Sequence, residues 1–120
     1  MKTLDYLLLL RGVWLGGLWT CLYMVRPVLE HQGYFPHHGM EIMHWLAGAG
    51  LCCGGLIVSA GLSRGLFRTN QSGSRLILVM MVIGAVYYGF MPWWKLQMML
   101  LHSQAALGVL WVWLAPRQVL

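Results

Sequence analysis

The sequence predicts an all-α membrane protein, a bundle of four transmembrane helices with antiparallel, up-and-down topology. Hydrophobic residues make up 59% of the 120-residue chain and charged residues only 9%, and the mean hydropathy is +0.66. A soluble domain of this size needs about a quarter of its residues charged. The apolar residues also fall into four runs, each approaching the ~20 residues that cross a bilayer. We therefore treat residues 1–120 as a single integral membrane domain.

The four predicted spans cover about residues 6–25, 41–61, 76–90 and 97–115. The first ends before Arg26-Pro27 and the fourth stops at Pro116, because proline removes a donor from the helix ladder. The polar stretch 63–75 separates the second span from the third. The segment 92–96 is so short that the last two spans must form a tight antiparallel hairpin.

The distribution of basic residues predicts the orientation of these spans. An even number of spans places both termini on one side, together with Lys2, Arg64, Arg68, Arg75 and Arg117. The other side has only Arg26 and Lys95, and two glutamates offset them. The positive-inside rule then places both termini and the 63–75 loop in the cytoplasm of a bacterial inner membrane. Since the basic residues are scattered rather than clustered on one face, the net charge of +5 does not indicate a nucleic-acid-binding protein.

Small residues at four-residue spacing predict where helices pack closely. Gly12-x-x-x-Gly16 lies in the first span and Gly50-x-x-x-Gly54 in the second. Lipid gives no hydrophobic drive for helix association, so close backbone approach at such glycines is a common means of packing in membranes. We predict that these four glycines are packing residues of a compact bundle.

Two histidines inside the spans raise the question of a cofactor. His44 and His102 lie at similar predicted depths near the outer side, on different helices. Two imidazoles at one level can ligate a haem iron or a metal. The alternative is that each histidine is neutral and hydrogen-bonded to a neighbouring helix. Haem b or copper is the cofactor that the first interpretation implies.

The outer loop and the adjacent helix ends are rich in histidine and methionine. Imidazole suits copper or zinc, and thioethers suit Cu(I). The candidate metal ligands are His37, His38, Met40, His44, Met99 and His102. The alternative is that methionine fills gaps in apolar helices and that the loop histidines are solvated. No spacing in this stretch matches a metal motif.

Groups that carry catalysis are scarce. The chain has three carboxylates in total, and no phosphate-binding loop or dinucleotide fingerprint is present. Cys21, Cys52 and Cys53 lie within spans, where a thiol behaves as a small hydrophobe. Arg11 lies near the cytoplasmic end of the first span, and snorkelling to the interface explains it. These observations favour a protein that is not an enzyme.

Several runs of residues resemble a known family. The sequence W-L-G-G-L-W at 14–19, with V-R-P-V-L at 25–29, resembles the start of a bacterial four-span family grouped with the transmembrane protein 205-like proteins. The run A-G-A-G at 47–50 and the run L-H-S at 101–103 are similar to its second and last helices. The resemblance implies the four-span fold and the membrane location. It implies no established reaction.

A second resemblance keeps a redox function open. Tyr23, Arg26 and His31 match the end of the first helix of the protoporphyrinogen oxidases, another four-span family. Copper-resistance membrane proteins share the general plan by analogy. The leading hypothesis is a small accessory or interaction subunit of a larger membrane complex, with lipid and other membrane subunits as partners and no nucleic acid. The alternative is a haem- or copper-binding redox or metal-handling protein.

Overall fold

Four helices form the regular structure of the computed structural model, which describes residues 3–33, 38–65, 67–68, 70–91 and 93–116. The first helix comprises Thr3–Thr20, a π-helical turn Cys21–Val25 and Arg26–His31, and the second, third and fourth helices are Gly39–Ser63, Ser72–Gly89 and Trp94–Leu114. No strand occurs within these described ranges. The predicted all-α four-helix fold is confirmed.

All four helices are long and apolar enough to cross a membrane. The candidate spans are Asp5–His31, Gly39–Ser63, Ser72–Gly89 and Trp94–Leu114. The third helix begins at Ser72, before the start of the apolar run from which we placed the span at 76. Hydropathy detects the hydrocarbon-facing part of a helix, whereas the backbone ladder extends into the polar residues that flank it.

The first helix does not end at Arg26-Pro27, as we predicted from the sequence, but continues to His31. Arg26 donates its backbone N–H to the carbonyl oxygen of Cys21, the i→i−5 bond of a π-helix. Pro27 then occupies the start of the next α-helical segment, where a missing N–H costs little. The widened turn therefore carries the helix past the proline.

Neighbours along the chain are neighbours in the bundle. The first helix packs on the second, the second on the third and the third on the fourth, and the fourth contacts the first. This order gives the predicted up-and-down topology. We call the end at which the first helix begins and the fourth ends the terminal end. The opposite end, with the turn between the third and fourth helices, is the hairpin end.

The core has two layers. The layer near the terminal end contains Leu7, Trp14, Leu15, Ile57, Ile77, Met80, Trp111 and Ala115. The layer near the hairpin end contains Leu18, Leu22, Met40, Met43, Ala47, Tyr87, Met98, Leu101 and Ala105. Trp111 and Tyr87 are fully buried, one in each layer. Each layer contains residues from all four helical regions of the bundle.

Two buried glutamines join the third and fourth helices. Gln97 donates from Nε2 to the backbone carbonyl of Tyr87 at 2.9 Å, and Gln104 donates from Nε2 to that of Met80 at 2.7 Å. The glutamines are seven residues apart, and so are the carbonyls. In antiparallel helices this spacing repeats the same contact two turns further on. Polar side chains that bond across helices are a recognised means of association in membranes.

Arg11 is buried and does not snorkel, contrary to our explanation from the sequence. Its side chain is 6% exposed, and its guanidinium lies 5.5 Å from the ring centroid of Trp111. The guanidinium donates to the backbone carbonyls of Ala115 and Pro116, the latter at 2.9 Å. These carbonyls follow the last turn of the fourth helix, where the helix dipole favours a cation. Arg11 therefore fastens the end of the fourth helix to the first.

The two glycine pairs have different environments. A Cβ at Gly50 would lie 2.5 Å from Nε1 of Trp14, and one at Gly54 would lie 2.9 Å from Cγ of Met81. These two glycines therefore lie where helices approach closely. A Cβ at Gly12 or Gly16 would meet nothing within 4 Å. At this predicted packing pair, therefore, no other helix of the described chain approaches closely, and both glycines are exposed.

Candidate functional site

His44 is held at two points by consecutive tyrosines of the third helix. Its Nδ1 lies 2.7 Å from the hydroxyl of Tyr87, and the two rings meet edge to face with centroids 5.6 Å apart. The hydroxyl of Tyr88 donates to the backbone carbonyl of His44 at 2.6 Å. Tyr87 points into the core and is 0% exposed, whereas Tyr88 lies at the surface. His44 is therefore bonded through its ring to the core and through its backbone to the surface of the bundle.

The hydroxyl of Tyr88 can reach this carbonyl because residue 48 is glycine. Helix geometry pairs the carbonyl of His44 with the N–H of Gly48. A Cβ at Gly48 would lie 3.0 Å from the hydroxyl oxygen of Tyr88, closer than ordinary van der Waals contact. Because Gly48 has no side chain, the hydroxyl of Tyr88 can reach a backbone carbonyl of the second helix.

The burial of Tyr87 fixes the tautomer of His44. A buried hydroxyl proton without an acceptor is costly. Among the described residues, Nδ1 of His44 is the recorded partner of this hydroxyl. We therefore assign Tyr87 as the donor and Nδ1 as the acceptor, which places the ring proton on Nε2. His44 accordingly offers an N–H donor on the side of the ring away from Tyr87.

A groove of about 560 Å³ lies against this histidine, between the second and third helices. We call it the His44 groove, and its lining residues are His44, Trp45, Gly48, Ala49, Cys52 and Tyr88. Trp45 is 81% exposed and projects from the second helix, and the thiol of Cys52 is also exposed. The groove therefore faces outward and is mainly apolar, with polar atoms supplied by His44 and Tyr88.

His102 makes a comparable pair with a different helix. Its Nδ1 lies 3.0 Å from the hydroxyl of Tyr23, which belongs to the π-helical turn of the first helix. Tyr23 also stacks on Trp19 with ring centroids 4.6 Å apart. One turn further on, Arg26 and Glu30 form an ion pair of 2.9 Å. This cluster is exposed and lies on the side where the first helix meets the fourth.

The structure does not bring the proposed haem ligands together. His44 is paired with the third helix through Tyr87, and His102 is paired with the first helix through Tyr23. A ligating imidazole usually donates from its other nitrogen and binds the metal through an unprotonated one. In the tautomer assigned to His44, the nitrogen bonded to Tyr87 accepts a hydrogen bond, and the other nitrogen carries the proton. Its geometry favours a hydrogen-bond donor over a metal ligand.

The other candidate metal ligands lie in unlike environments. Met40 is buried in the core layer near the hairpin end, whereas Met99 is 65% exposed on the fourth helix. His38 is exposed just before the second helix, and His37 lies outside the described residues. Within the part of the chain that the structure describes, no three side chains of His, Cys, Asp or Glu are grouped to hold a metal ion.

A second groove, of about 780 Å³, runs along the seam between the first and fourth helices. We call it the docking seam, and its lining residues are Leu15, Gly16, Trp19, Gly108, Val109, Val112, Trp113 and Pro116. The two helices pack tightly at Gly108, where an added Cβ would overlap the side chain of Leu15. Gly16 forms the open floor of the groove on the first helix, and Trp113 is an exposed wall on the fourth.

Sequence reasoning did not identify Tyr23, Tyr87 or Tyr88 as partners of the histidines. A signal for two of them was present, because Tyr87 and Tyr88 lie near the end of the third span at the depth predicted for His44. The π-helical turn that contains Tyr23 has no sequence signal that we recognise. It matters nonetheless, since π-helical turns inside longer helices occur frequently at functional sites.

Fold and sites together define a multi-pass membrane protein with four candidate spans. In the described part of the chain, one outward-facing groove lies between the second and third helices and another between the first and fourth. No protein-family model, no curated protein and no solved structure matches the chain.

Proposed function

We propose that this protein is a non-enzymatic accessory subunit of a bacterial inner-membrane complex, and that it binds a transmembrane helix of another subunit at the docking seam. The observation that supports this function most is the open face at Gly12 and Gly16, where an added Cβ would meet no atom of the described residues within 4 Å. In our proposal the chain is also related to the transmembrane protein 205-like family that it resembles.

The glycine face suits a helix better than it suits lipid. Small residues four apart let two helix backbones approach, which strengthens van der Waals contact and interhelical hydrogen bonding. Flexible acyl chains fill a flat or ridged surface equally well and do not require glycine. Gly12 and Gly16 lie one turn apart on this open face, and the seam beside them supplies apolar walls at Trp19 and Trp113. A partner helix seated on Gly16 would contact both walls.

The seam also extends along part of the membrane thickness. Its lining on the first helix runs from Leu15 to Trp19, and its lining on the fourth runs from Gly108 to Pro116. At about 1.5 Å per residue the fourth-helix side is about 12 Å long, and Gly12 continues the open face toward the terminal end. This length accommodates about two turns of a helix, which is enough for two small-residue contacts.

The orientation in this proposal keeps both termini in the cytoplasm. Arg64 and Arg68 are exposed in the connection between the second and third helices, at the terminal end. The hairpin end then faces the periplasm, where Trp93 and Met91 are exposed around the turn. Tryptophan at helix ends is typical of the membrane–water interface.

The second hypothesis is a haem- or copper-binding protein, which the placement of His44 and His102 does not favour. It would require His44 and His102 to act on separate centres, because they face different helices. An absorbance spectrum and a metal analysis of the purified protein distinguish the two hypotheses directly. A Soret band or stoichiometric copper that is lost in His102→Ala would favour the redox function.

The docking proposal is tested by comparing two glycine variants in native membranes. Gly16→Leu fills the docking seam, whereas Gly55→Leu adds the same side chain at an open position of the second helix. After mild solubilisation, native electrophoresis should show the parent and Gly55→Leu in a species larger than the monomer. Gly16→Leu should migrate as the monomer while retaining the thermal stability of the parent.

Three results would contradict the proposal. A monomeric parent in native membranes would mean that nothing binds at the seam. A large species that contains only differently tagged copies of this chain would mean self-association instead of an accessory role. Equal loss of assembly in both variants would show that the effect does not come from the seam.

A further inference from the structure

We propose that the His44 groove binds the ring of a lipid quinone, with one ring carbonyl accepting a hydrogen bond from Nε2 of His44. The site lies between the second and third helices, whereas the docking seam lies between the first and fourth. The two proposals therefore stand or fall separately.

Nε2 of His44 is the hydrogen-bond donor of the proposed site. Tyr87 occupies Nδ1 of His44 at 2.7 Å. With Tyr87 assigned as the donor, the ring proton is on Nε2. No acceptor for Nε2 is recorded among the described residues, and His44 lines the groove. An N–H donor that faces hydrocarbon without an acceptor is costly. A ligand with a neutral oxygen acceptor would remove this cost.

The lining and volume of the groove suit a planar ring. Gly48 and Ala49 contribute no bulky side chain to its lining, and Trp45 and Tyr88 contribute aromatic rings. A volume of about 560 Å³ lies within the ordinary range for small-molecule sites. A flat, conjugated ring suits a site lined by aromatic side chains, where offset or edge-to-face contact is favourable.

The position of the groove along the second helix suits a ligand with a polar ring and an apolar tail. His44 is about 7.5 Å along the second helix from its start at Gly39, and Cys52 is about 12 Å further toward the middle, at about 1.5 Å per residue. A ligand whose polar ring sits at His44 can therefore place an isoprenoid tail along the groove past Cys52. The groove opens on the outside of the bundle, so such a ligand can enter from the lipid.

The lining chemistry favours this class over charged ligands. Among the described residues that line the groove, none is a lysine, an arginine or a carboxylate. An anion would find no countercharge, and a metal would need the nitrogen that carries the proton. A phospholipid ester carbonyl offers the same acceptor without a ring, and the experiment is designed to distinguish this source from a quinone.

Cys52 provides the measurement, because its thiol is exposed in the groove. The protein, with Cys21→Ser and Cys53→Ala, is placed in phosphatidylcholine nanodiscs and treated with a membrane-permeant maleimide. The probe ligand is a fully substituted benzoquinone with a decyl tail, whose ring has no free position for thiol addition. Bound quinone should slow alkylation of Cys52 several-fold in a saturable manner, and should quench tryptophan fluorescence over the same concentration range.

Two matched variants identify the site. His44→Ala should weaken quinone binding on the order of tenfold, the loss of one buried hydrogen bond. His102→Ala, at the other tyrosine-paired histidine, should leave it unchanged. Ala49→Leu narrows the groove without removing a hydrogen bond, and should abolish protection of Cys52 even if His44→Ala proves unstable.

The proposal is wrong if the quinone neither protects Cys52 nor quenches fluorescence in the parent. It is also wrong if His44→Ala changes the alkylation rate in phosphatidylcholine alone while the quinone has no effect in the parent. That result would assign the groove to an ordinary phospholipid. Equal weakening in His44→Ala and His102→Ala would place the effect outside the groove.

Discussion

Gln104 on the fourth helix donates from Nε2 to the backbone carbonyl of Met80 on the third at 2.7 Å, with both residues buried in the membrane-spanning part of the bundle. Gln97 makes the equivalent bond to Tyr87 seven residues away. The two glutamines are seven residues apart, and so are the two carbonyls that they bond. The pair of hydrogen bonds therefore fixes the register of the third helix against the fourth. Gly84 lies between the two contacts, and a Cβ there would lie 3.1 Å from Nε2 of Gln104.

Replacing either glutamine by leucine should destabilise the bundle. We expect Gln97→Leu and Gln104→Leu each to lower the free energy of unfolding by about 1 kcal/mol, the usual size of an interhelical hydrogen bond in membranes. The double variant should show nearly the sum, because the sites are about 10 Å apart along the helix. Reversible unfolding in a mixed-detergent titration measures these differences. Gln32→Leu, at an exposed position, is the control and should have no comparable effect.

Arg11 should stabilise the end of the fourth helix. Arg11→Met removes two charge-assisted hydrogen bonds to the carbonyls of Ala115 and Pro116, and should cost about 2–3 kcal/mol in unfolding free energy. Arg11→Lys should recover only part, since an ammonium cannot reproduce the planar fork. Hydrogen exchange should increase most in the last turn of the fourth helix. Unchanged exchange there, with Arg64→Met as the exposed control, would contradict the role that we assign to Arg11.

The two glycine pairs should respond differently to alanine. Gly50→Ala forces a Cβ against the indole of Trp14, and should lower the free energy of unfolding by about 1–3 kcal/mol through overpacking. Gly12→Ala should be neutral or slightly stabilising in the isolated protein, because alanine is the better helix former. Thermal unfolding in detergent compares the two. Equal destabilisation in both variants would mean that Gly12 is packed within the chain after all.

The orientation can be measured with reporters. Alkaline phosphatase fused after Leu120 should be inactive, and a fluorescent protein at the same site should fluoresce, because both termini are expected in the cytoplasm. The matched fusion is phosphatase joined after Gly33, beyond the first helix, and it should be active. The reverse pattern would move the hairpin end, with His44 and His102 near it, to the cytoplasmic side.

The amino-acid sequence by itself determined the class, the number of spans and their order. Hydropathy measures the transfer of whole segments into hydrocarbon, and this quantity is large enough to stand out in single stretches such as Gly39–Ser63. Short connections then leave little choice of topology. The error at Arg26-Pro27 arose because a π-helical turn can carry a helix past a proline, and nothing in the composition of that turn indicates it.

Only the tertiary structure decided which side of each helix faces inward. In a soluble helix the apolar face marks the core, but lipid is as apolar as the interior of a membrane bundle, so the contrast is missing. The same Gly-x-x-x-Gly spacing is therefore open at Gly12 and closed against Trp14 at Gly50. For the same reason His44 and His102, matched in predicted depth, face different helices and bond to different tyrosines. Depth follows from the sequence, whereas rotation about the helix axis is set by packing against the neighbouring helices.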